Sequence, residues 1–261
     1  MIKAVICDLD GTLLNSNKEV SNRNVQAIID CCGHGMKFVV ATARPPRTVR
    51  SLLPREIYES ASFIYYNGGL ISDKETSFEK HFAIPKEISE EIIDYWHVHF
   101  PAANIGLEVK DRWFSNQEII GEAYNLDEKP VVLEIAQLKT YSPTKILITE
   151  FNQLEPFKEL FQDKVNITVT DQGTLIQVTN KGISKASGVL AISDHLDIPP
   201  SEMIAFGDDF NDMEMFEIAG YSVAMDNAVD KLKLLADEVT VTNDQDGVAS
   251  VLEKILSKGA M

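Results

Sequence analysis

Two groups of acidic residues in the sequence each follow a short apolar run. Asp8 and Asp10 come directly after Lys3–Cys7, and Gly207-Asp208-Asp209-Phe210-Asn211-Asp212 comes directly after Met203–Phe206. Both apolar runs are predicted to be buried strands. Ligand sites in parallel α/β sheets lie at the carboxyl ends of strands, and crowded carboxylates are unfavourable unless a cation neutralises them. Because Mg²⁺ prefers oxygen ligands, the sequence predicts a Mg²⁺ site at these strand ends.

Both acidic groups also have interpretations that need no catalysis. The Asp8-Leu9-Asp10 pattern occurs in calcium loops of the EF-hand kind, but those loops follow a helix and end in a glutamate at a set spacing. An acidic turn without function is the other alternative for this group. In the second group, Asn211 or Asp212 could cap the helix that follows, and a cap and a metal site can exist together.

Two further segments carry groups that suit a phosphate. Thr42-Ala43-Arg44 follows the predicted strand Lys37–Ala41, and Lys181-Gly182-Ile183-Ser184-Lys185 precedes a predicted helix. A threonine hydroxyl and backbone N–H groups at a helix N-terminus bind phosphate oxygens well, and a lysine adds positive charge. Taken alone, the first segment is more typical of a helix cap and the second of a solvated surface.

The elements around these residues predict an α/β fold at both ends of the chain. Ser21 can cap a helix in which Val25, Ile28, Ile29 and Cys32 share one face. Three more apolar runs, which alternate with helical patterns, are predicted strands: Phe63–Tyr66, Tyr221–Ala224 and Val239–Thr242. Strands that alternate with helices favour a parallel sheet.

The middle of the chain has a different pattern. A helix is predicted over Glu87–Val98, followed by segments rich in Val, Ile and Thr that favour strands: Val131–Leu138, Thr144–Thr149, Val165–Thr170 and Thr174–Thr179. We expect an α+β insert here. Of its residues Trp113, Glu108, Arg112 and Glu134, we expect Trp113 to pack in the core and the charged side chains to face solvent.

Composition limits the classes of partner. The 261 residues include 24 Lys and Arg against 40 Asp and Glu, which gives a formal net charge of −16. Such a chain binds polyanions poorly, so nucleic acid and anionic membranes are not expected partners. The sequence contains no apolar run of the roughly 20 residues that a membrane span needs, and its three cysteines form no metal-binding or disulfide pattern. We expect a cytoplasmic protein whose oligomeric state the sequence does not indicate.

The order of the motifs resembles that of the haloacid dehalogenase-like (HAD) hydrolase superfamily, specifically the Cof-type phosphatases of its IIB branch. The resemblance covers residues 1–82 and 181–261. It includes three further segments: Tyr66-Asn67-Gly68-Gly69, Ser222–Ala228 and Thr242–Ala249. The sequence departs from the family pattern at Ala43 and Asp226, where glycine is usual.

The resemblance implies a role for each site residue. Asp8 is expected to be the nucleophile that becomes an aspartyl phosphate, and Asp10 the general acid and base. Asp8, the backbone carbonyl of Asp10, and Asp208 are expected to bind Mg²⁺.

Further residues are expected to hold the phosphoryl group. Thr42, Lys185 and Asn211 have this implied role, and Lys181 is the alternative to Lys185. Asp212, as a second acid near the metal, and Arg44 are expected to support the residues that bind metal and phosphate.

The implied fold has two parts. Residues 1–82 and 181–261 are expected to form an α/β catalytic core, Rossmann-like and three-layered, with a parallel sheet. Residues 83–180 are expected to form an inserted α+β cap domain of the C2 type. The segment between Asp10 and Thr42 is too short for a domain, whereas the one between Thr42 and Lys185 is long enough.

The implied activity is that of a phosphoric monoester hydrolase. We expect a Mg²⁺-dependent phosphatase that hydrolyses small phosphate monoesters, such as sugar phosphates, through an aspartyl phosphate. A phosphomutase of the same fold is an alternative. A phospho-acceptor signalling module is a third, although such modules are about half this length and pair adjacent acids on their first strand.

Overall fold

The computed structural model describes residues 1–118, 129–151 and 153–257, and the chain divides into two compact units. Unit 1 consists of Met1–Lys80 and Ser184–Met261, and unit 2 of His81–Ile183. Among the residues described, no helix is long and apolar enough to cross a membrane. The assignment of a catalytic core and a cap to the predicted ranges stays a prediction.

The elements follow one another in three stretches. The first stretch, in unit 1 except for His81, contains β1 Ala4–Asp8, α1 Asn22–Gly33, β2 Lys37–Ala41, α2 Pro46–Leu52, α3 Arg55–Ser60, β3 Ser62–Tyr65, β4 Leu70–Asp73 and β5 Phe78–His81. Unit 2 then contains α4 Lys86–His99, β6 Asn104–Val109, β7 Arg112–Ser115, β8 Val131–Val132, α5 Ile135–Leu138, β9 Lys145–Thr149, α6 Glu155–Phe161, β10 Val165–Thr170 and β11 Leu175–Asn180. The chain returns to unit 1 in α7 Lys185–Leu196, β12 Met203–Gly207, α8 Met213–Ile218, β13 Tyr221–Ala224, α9 Asp230–Leu235, β14 Glu238–Val239 and α10 Gly247–Ser257.

The sheet of unit 1 brings the predicted site strands together. Its order is β14-β13-β12-β1-β2-β3-β4-β5, in which all neighbours from β14 to β3 are parallel and β4 runs antiparallel to β3. Strand β1 lies between β12 and β2, with Asp8 beside Ala41 and Cys7 beside Phe206. The carboxyl ends of these three strands therefore lie side by side, as the sequence pattern predicts.

Helices cover both faces of this sheet. Alternate strand residues point to opposite faces, so Phe63 packs in a core with Ile28 of α1 and Val248 of α10, whereas Ile64 faces α7 on the other side. Ser21 caps α1, as predicted, because its hydroxyl accepts a hydrogen bond from the backbone N–H of Asn24. The result is a three-layered α/β unit.

Unit 2 has a six-stranded sheet with the order β10-β11-β9-β6-β7-β8. One face carries a core with α4 and α6, in which Trp96, Ile105 and Phe157 are fully buried. On the other face Trp113 lines a cavity of about 610 Å³, so the expectation that it packs in the core is wrong. Glu108 is also buried, at 5% exposure, beside Lys145 on the neighbouring strand, so it does not face solvent.

Several predicted elements differ from the structure at their ends. The helix expected at Glu87–Val98 extends over Lys86–His99, and the strand expected at Val239–Thr242 is Glu238–Val239. The strand expected over Val131–Leu138 is wrong beyond Val132, because Glu134 and Gln137 form a capping box that begins α5. A local capping pair outweighs β propensity there.

The packing of α7 on the sheet predicts the effect of a glycine substitution. A Cβ at position 188 would lie 2.3 Å from Ile64 Cγ2 and 3.2 Å from Gly68 Cα. A 2.3 Å contact is far closer than Cβ atoms normally approach, so the overpacking cost falls in the upper part of its usual range, about 2–3 kcal/mol, against about 1 kcal/mol gained from helix propensity. We expect Gly188→Ala to lower the free energy of unfolding by about 1–2 kcal/mol in a urea titration.

Gly33→Ala is the matched control. Gly33 ends α1, and a Cβ added there has no neighbour within 4 Å. We expect this variant to be as stable as the parent chain or more so. Equal stability of Gly188→Ala and the parent would show that α7 does not pack as closely as described.

Candidate active site

A buried lysine joins two of the predicted acids. Lys185 is the first residue of α7, directly after the N-cap Ser184, and its side chain is fully buried. Its ammonium donates hydrogen bonds to Asp8 Oδ1 at 2.5 Å and to Asp212 Oδ1 at 2.6 Å. Burial alone would lower the pKa of Lys185, but the two carboxylates outweigh burial and raise it. The lysine therefore stays charged.

Three carboxylates surround the single ammonium of Lys185. Ligand oxygens of Asp8, Asp208 and Asp212 all lie within 4.8 Å of one another. Burial raises the pKa of Asp8, in spite of Lys185, and raises that of Asp208 to about 6. One ammonium does not neutralise three carboxylates, so a further cation would stabilise their ionised forms.

The donor set fits a hard divalent cation. Gly11 has a positive φ of 78°, and a Cβ there would lie 2.2 Å from Asp208 Oδ2, so a glycine lets the loop after β1 approach that carboxylate. Thr12 Oγ1 donates to Asp208 Oδ1 at 2.9 Å. Carboxylate oxygens in a partly buried cluster, such as those of Asp8 and Asp208, are ligands that Mg²⁺ accepts.

Asp212 has a second task besides its charge. Its Oδ2 accepts hydrogen bonds from the backbone N–H groups of Asp208, at 2.9 Å, and Asp209, at 3.1 Å, while Oδ1 accepts from Lys185. Both carboxylate oxygens of Asp212 thus accept hydrogen bonds from other groups of the protein. Of the two predicted caps, Asp212 occupies the N-cap position of α8, but its side chain makes no capping hydrogen bond to that helix. Asp209 instead caps the short 3₁₀ turn Phe210–Asp212 before α8, where its side chain accepts from Phe210 N–H at 2.7 Å.

The Asp10 side chain has different partners from Asp8. Arg44 binds it with two hydrogen bonds, at 2.5 and 2.7 Å, and Lys18 adds a third at 2.9 Å. Burial favours a raised pKa for Asp10, but these hydrogen bonds outweigh burial and hold the pKa below its usual value. Lys18 lies in no motif, and sequence reasoning missed it. Thr12 was missed too, although it lies only two residues after Asp10.

The remaining predicted residues lie at strand ends with local partners. Thr42 is buried at the end of β2, where its Oγ1 accepts from Arg44 N–H at 3.2 Å. Asn211 is exposed and donates to Asn67 Oδ1 at 3.3 Å. Lys181 is exposed in unit 2 and donates to the carbonyl of Gln162 at 2.6 Å. The structure thus brings Lys185 to Asp8, while Lys181 binds elsewhere.

Comparison with known proteins agrees with this arrangement. The pattern of the haloacid dehalogenase-like hydrolases matches residues 5–252. The chain belongs to the haloacid dehalogenase-like hydrolase family. It is 28% identical to the 5-amino-6-(5-phospho-D-ribitylamino)uracil phosphatase YitU of Bacillus subtilis over 97% of each chain. Its structure resembles that of TM0651 from Thermotoga maritima, with a TM-score of 0.88 at 27% identity over 98% of each chain.

The fold is also shared with a described subclass of this family. The HAD subclass IIB sugar phosphatase BT4131 has a TM-score of 0.75 at 22% identity, over 97% of this chain and 98% of that one. The predicted family and the Rossmann-like core with an inserted domain are confirmed. The predicted class, a phosphoric monoester hydrolase, is confirmed at the level of the family.

The buried lysine predicts a large effect on stability. Replacing Lys185 by Met would leave Asp8 and Asp212 buried without their shared cation. Removing one partner of a buried ion pair costs about 3–5 kcal/mol. We expect Lys185→Met to lower the free energy of unfolding by about that amount in metal-free buffer.

Lys181→Met is the matched control, because Lys181 is exposed and pairs only with a backbone carbonyl in the described contacts. We expect a change within about 0.5 kcal/mol. If both variants unfolded at the same urea concentration as the parent, Lys185 would not neutralise the acidic cluster.

Proposed function

We propose that the chain is a Mg²⁺-dependent phosphatase that hydrolyses small phosphate monoesters, with sugar phosphates as the favoured class, through an aspartyl phosphate on Asp8. The observation that carries the proposal is the ammonium of Lys185, 2.5 Å from Asp8 Oδ1, in a cluster that also contains Asp208. This arrangement combines a carboxylate nucleophile, a fixed cation and metal ligands at one strand edge.

Phosphoryl transfer begins at Asp8 in this proposal. A carboxylate oxygen of Asp8 attacks phosphorus in line with the ester oxygen, which leaves with its electron pair. Lys185 offsets the repulsion between the ionised carboxylate and the phosphate. Asp8, Asp208 and the backbone carbonyl of Asp10 would hold Mg²⁺, which supplies Lewis-acid stabilisation of phosphoryl charge when bound. Thr42 and Asn211 would add hydrogen bonds to the phosphoryl oxygens.

Asp10 handles the protons in two steps. As an acid it gives a proton to the leaving alkoxide, and as a base it takes one from the water that hydrolyses the aspartyl phosphate. The ion pairs with Arg44 and Lys18 favour the ionised form, which suits the second step. For the first step Asp10 must lose at least one of its ion pairs with Arg44 and Lys18. The pKa of Asp10 then rises, and its carboxyl group can carry a proton.

The substrate class rests on charge and on relatives. An acidic chain with 40 Asp and Glu favours a small ester over a polyanion. YitU is named for a substrate that carries a phosphorylated ribityl chain, which is itself a small phosphate monoester of a polyol. We assign catalysis to unit 1, which contains all the site residues, and a cap role to unit 2, which is inserted between Lys80 and Ser184.

The first test replaces the nucleophile. We expect Asp8→Asn to reduce phosphate release from a panel of hexose, pentose and triose phosphates by about 10³-fold or more, because an amide does not form the covalent intermediate. Asp209→Asn is the control, since Asp209 is exposed and Asn also suits an N-cap. We expect it to retain activity.

In the same assay, removal of divalent cations with EDTA should stop phosphate release by the parent enzyme, and added Mg²⁺ should restore it. Turnover by Asp8→Asn at the rate of the parent, with deamidation excluded by mass spectrometry, would rule out the covalent mechanism. An unchanged rate of phosphate release in EDTA would rule out a requirement for a divalent metal ion.

A further inference from the structure

Two asparagines hold the loop that follows β1. Asn227 Nδ2 donates to the backbone carbonyl of Gly11 at 2.8 Å, and Asn243 Nδ2 donates to the carbonyl of Leu14 at 2.8 Å. Asn227 comes after β13 and Asn243 after β14. Both lie more than 200 residues beyond the loop in sequence. The site described above uses neither of them.

The two asparagines also bind each other. The backbone N–H of Asn243 donates to Asn227 Oδ1 at 3.0 Å. An amide side chain has one acceptor oxygen and one donor nitrogen. Because Asn243 takes the oxygen, the nitrogen of Asn227 is directed at Gly11. The two residues therefore act as one hydrogen-bonded pair with two contacts on the loop.

The segment that carries Asn227 also holds the second acidic loop. The backbone N–H of Val229 donates to the carbonyl of Asp208 at 2.9 Å, and that of Met225 donates to the carbonyl of Gly207 at 3.1 Å. One short segment thus binds the loop after β12 through its backbone and the loop after β1 through Asn227. The first loop begins directly after Asp8, the last residue of β1, and the second contains Asp208.

The tolerance for movement between these loops is small. Gly11 approaches Asp208 so closely that a Cβ would lie 2.2 Å from its carboxylate, and Thr12 donates to the same side chain. A shift of the Gly11 carbonyl therefore changes the position of the loop against Asp208. Exposed Asn227 adds little to a hydrophobic core, so its contacts serve loop position more than burial.

We infer that Asn227 and Asn243 are positioning residues that set the spacing between the Asp8–Thr12 loop and Asp208, and with it the affinity for a divalent cation and the rate of phosphoryl transfer. The predicted effect on the rate of phosphoryl transfer rests on the proposed function. The predicted effect on metal affinity depends only on the geometry of the carboxylates.

The test uses alanine variants of the full chain. Asn227→Ala and Asn243→Ala remove the donors without adding charge. Asn166→Ala is the matched control, because Asn166 Nδ2 also donates to a backbone carbonyl, that of Ile183, but in unit 2. Three quantities are measured for each: Mn²⁺ affinity by electron paramagnetic resonance, kcat and KM for phosphate release, and Tm.

We expect Asn227→Ala and Asn243→Ala each to weaken Mn²⁺ binding about 10-fold and to lower kcat about 10-fold, with KM within 3-fold of the parent. The double variant should bind Mn²⁺ more weakly than either single one, because the two side chains donate to different carbonyls and Asn243→Ala keeps the backbone N–H that binds Asn227. Asn166→Ala should keep Mn²⁺ affinity and kcat, whatever its Tm.

Mn²⁺ affinity and kcat within 2-fold of the parent in both site variants would overturn the inference, even if Tm fell as in Asn166→Ala. Failure of the parent to release phosphate from any substrate of the panel would instead overturn the proposed function. The Mn²⁺ titrations would still decide whether the asparagines position the carboxylates.

Discussion

The ion pairs of Lys185 are the interaction on which the site depends. A fully buried ammonium is unfavourable without partners, and so are the carboxylates of Asp8 and Asp212. Together they form a hydrogen-bonded unit that fixes the start of α7 against the end of β1. This unit has an excess of negative charge once Asp208 is counted, and that excess is the physical reason why the site suits a divalent cation.

The fold supplies this interaction from distant parts of the chain. Strand β1 lies between β2 and β12, so its last residue, Asp8, has Thr42 and Asp208 as neighbours at the same sheet edge. The N-terminus of α7 delivers Lys185 after the chain has passed through unit 2. All the side chains of the candidate site belong to unit 1, although unit 2 is inserted in the sequence between the two parts of unit 1.

Sequence patterns predicted the strands and helix starts that depend on neighbouring residues in the chain. The apolar run before Asp8 and the capping serine Ser21 each have a short-range signal, and the structure has the elements they indicate. No such signal predicts the hydrogen bond from Lys18 to Asp10 or the one from Asn227 to the carbonyl of Gly11. They depend on how loops far apart in sequence meet after folding, which propensity and periodicity do not encode.

The proposal that Asp8 receives the phosphoryl group can be tested directly. The enzyme is mixed with Mg²⁺ and para-nitrophenyl phosphate, quenched in acid during turnover and reduced with borohydride, which converts a phosphorylated aspartate into homoserine. We expect mass spectrometry to find homoserine at position 8 and unmodified aspartate at positions 10, 208 and 212. Homoserine at another of these positions, or none at all during a burst of para-nitrophenolate release, would contradict it.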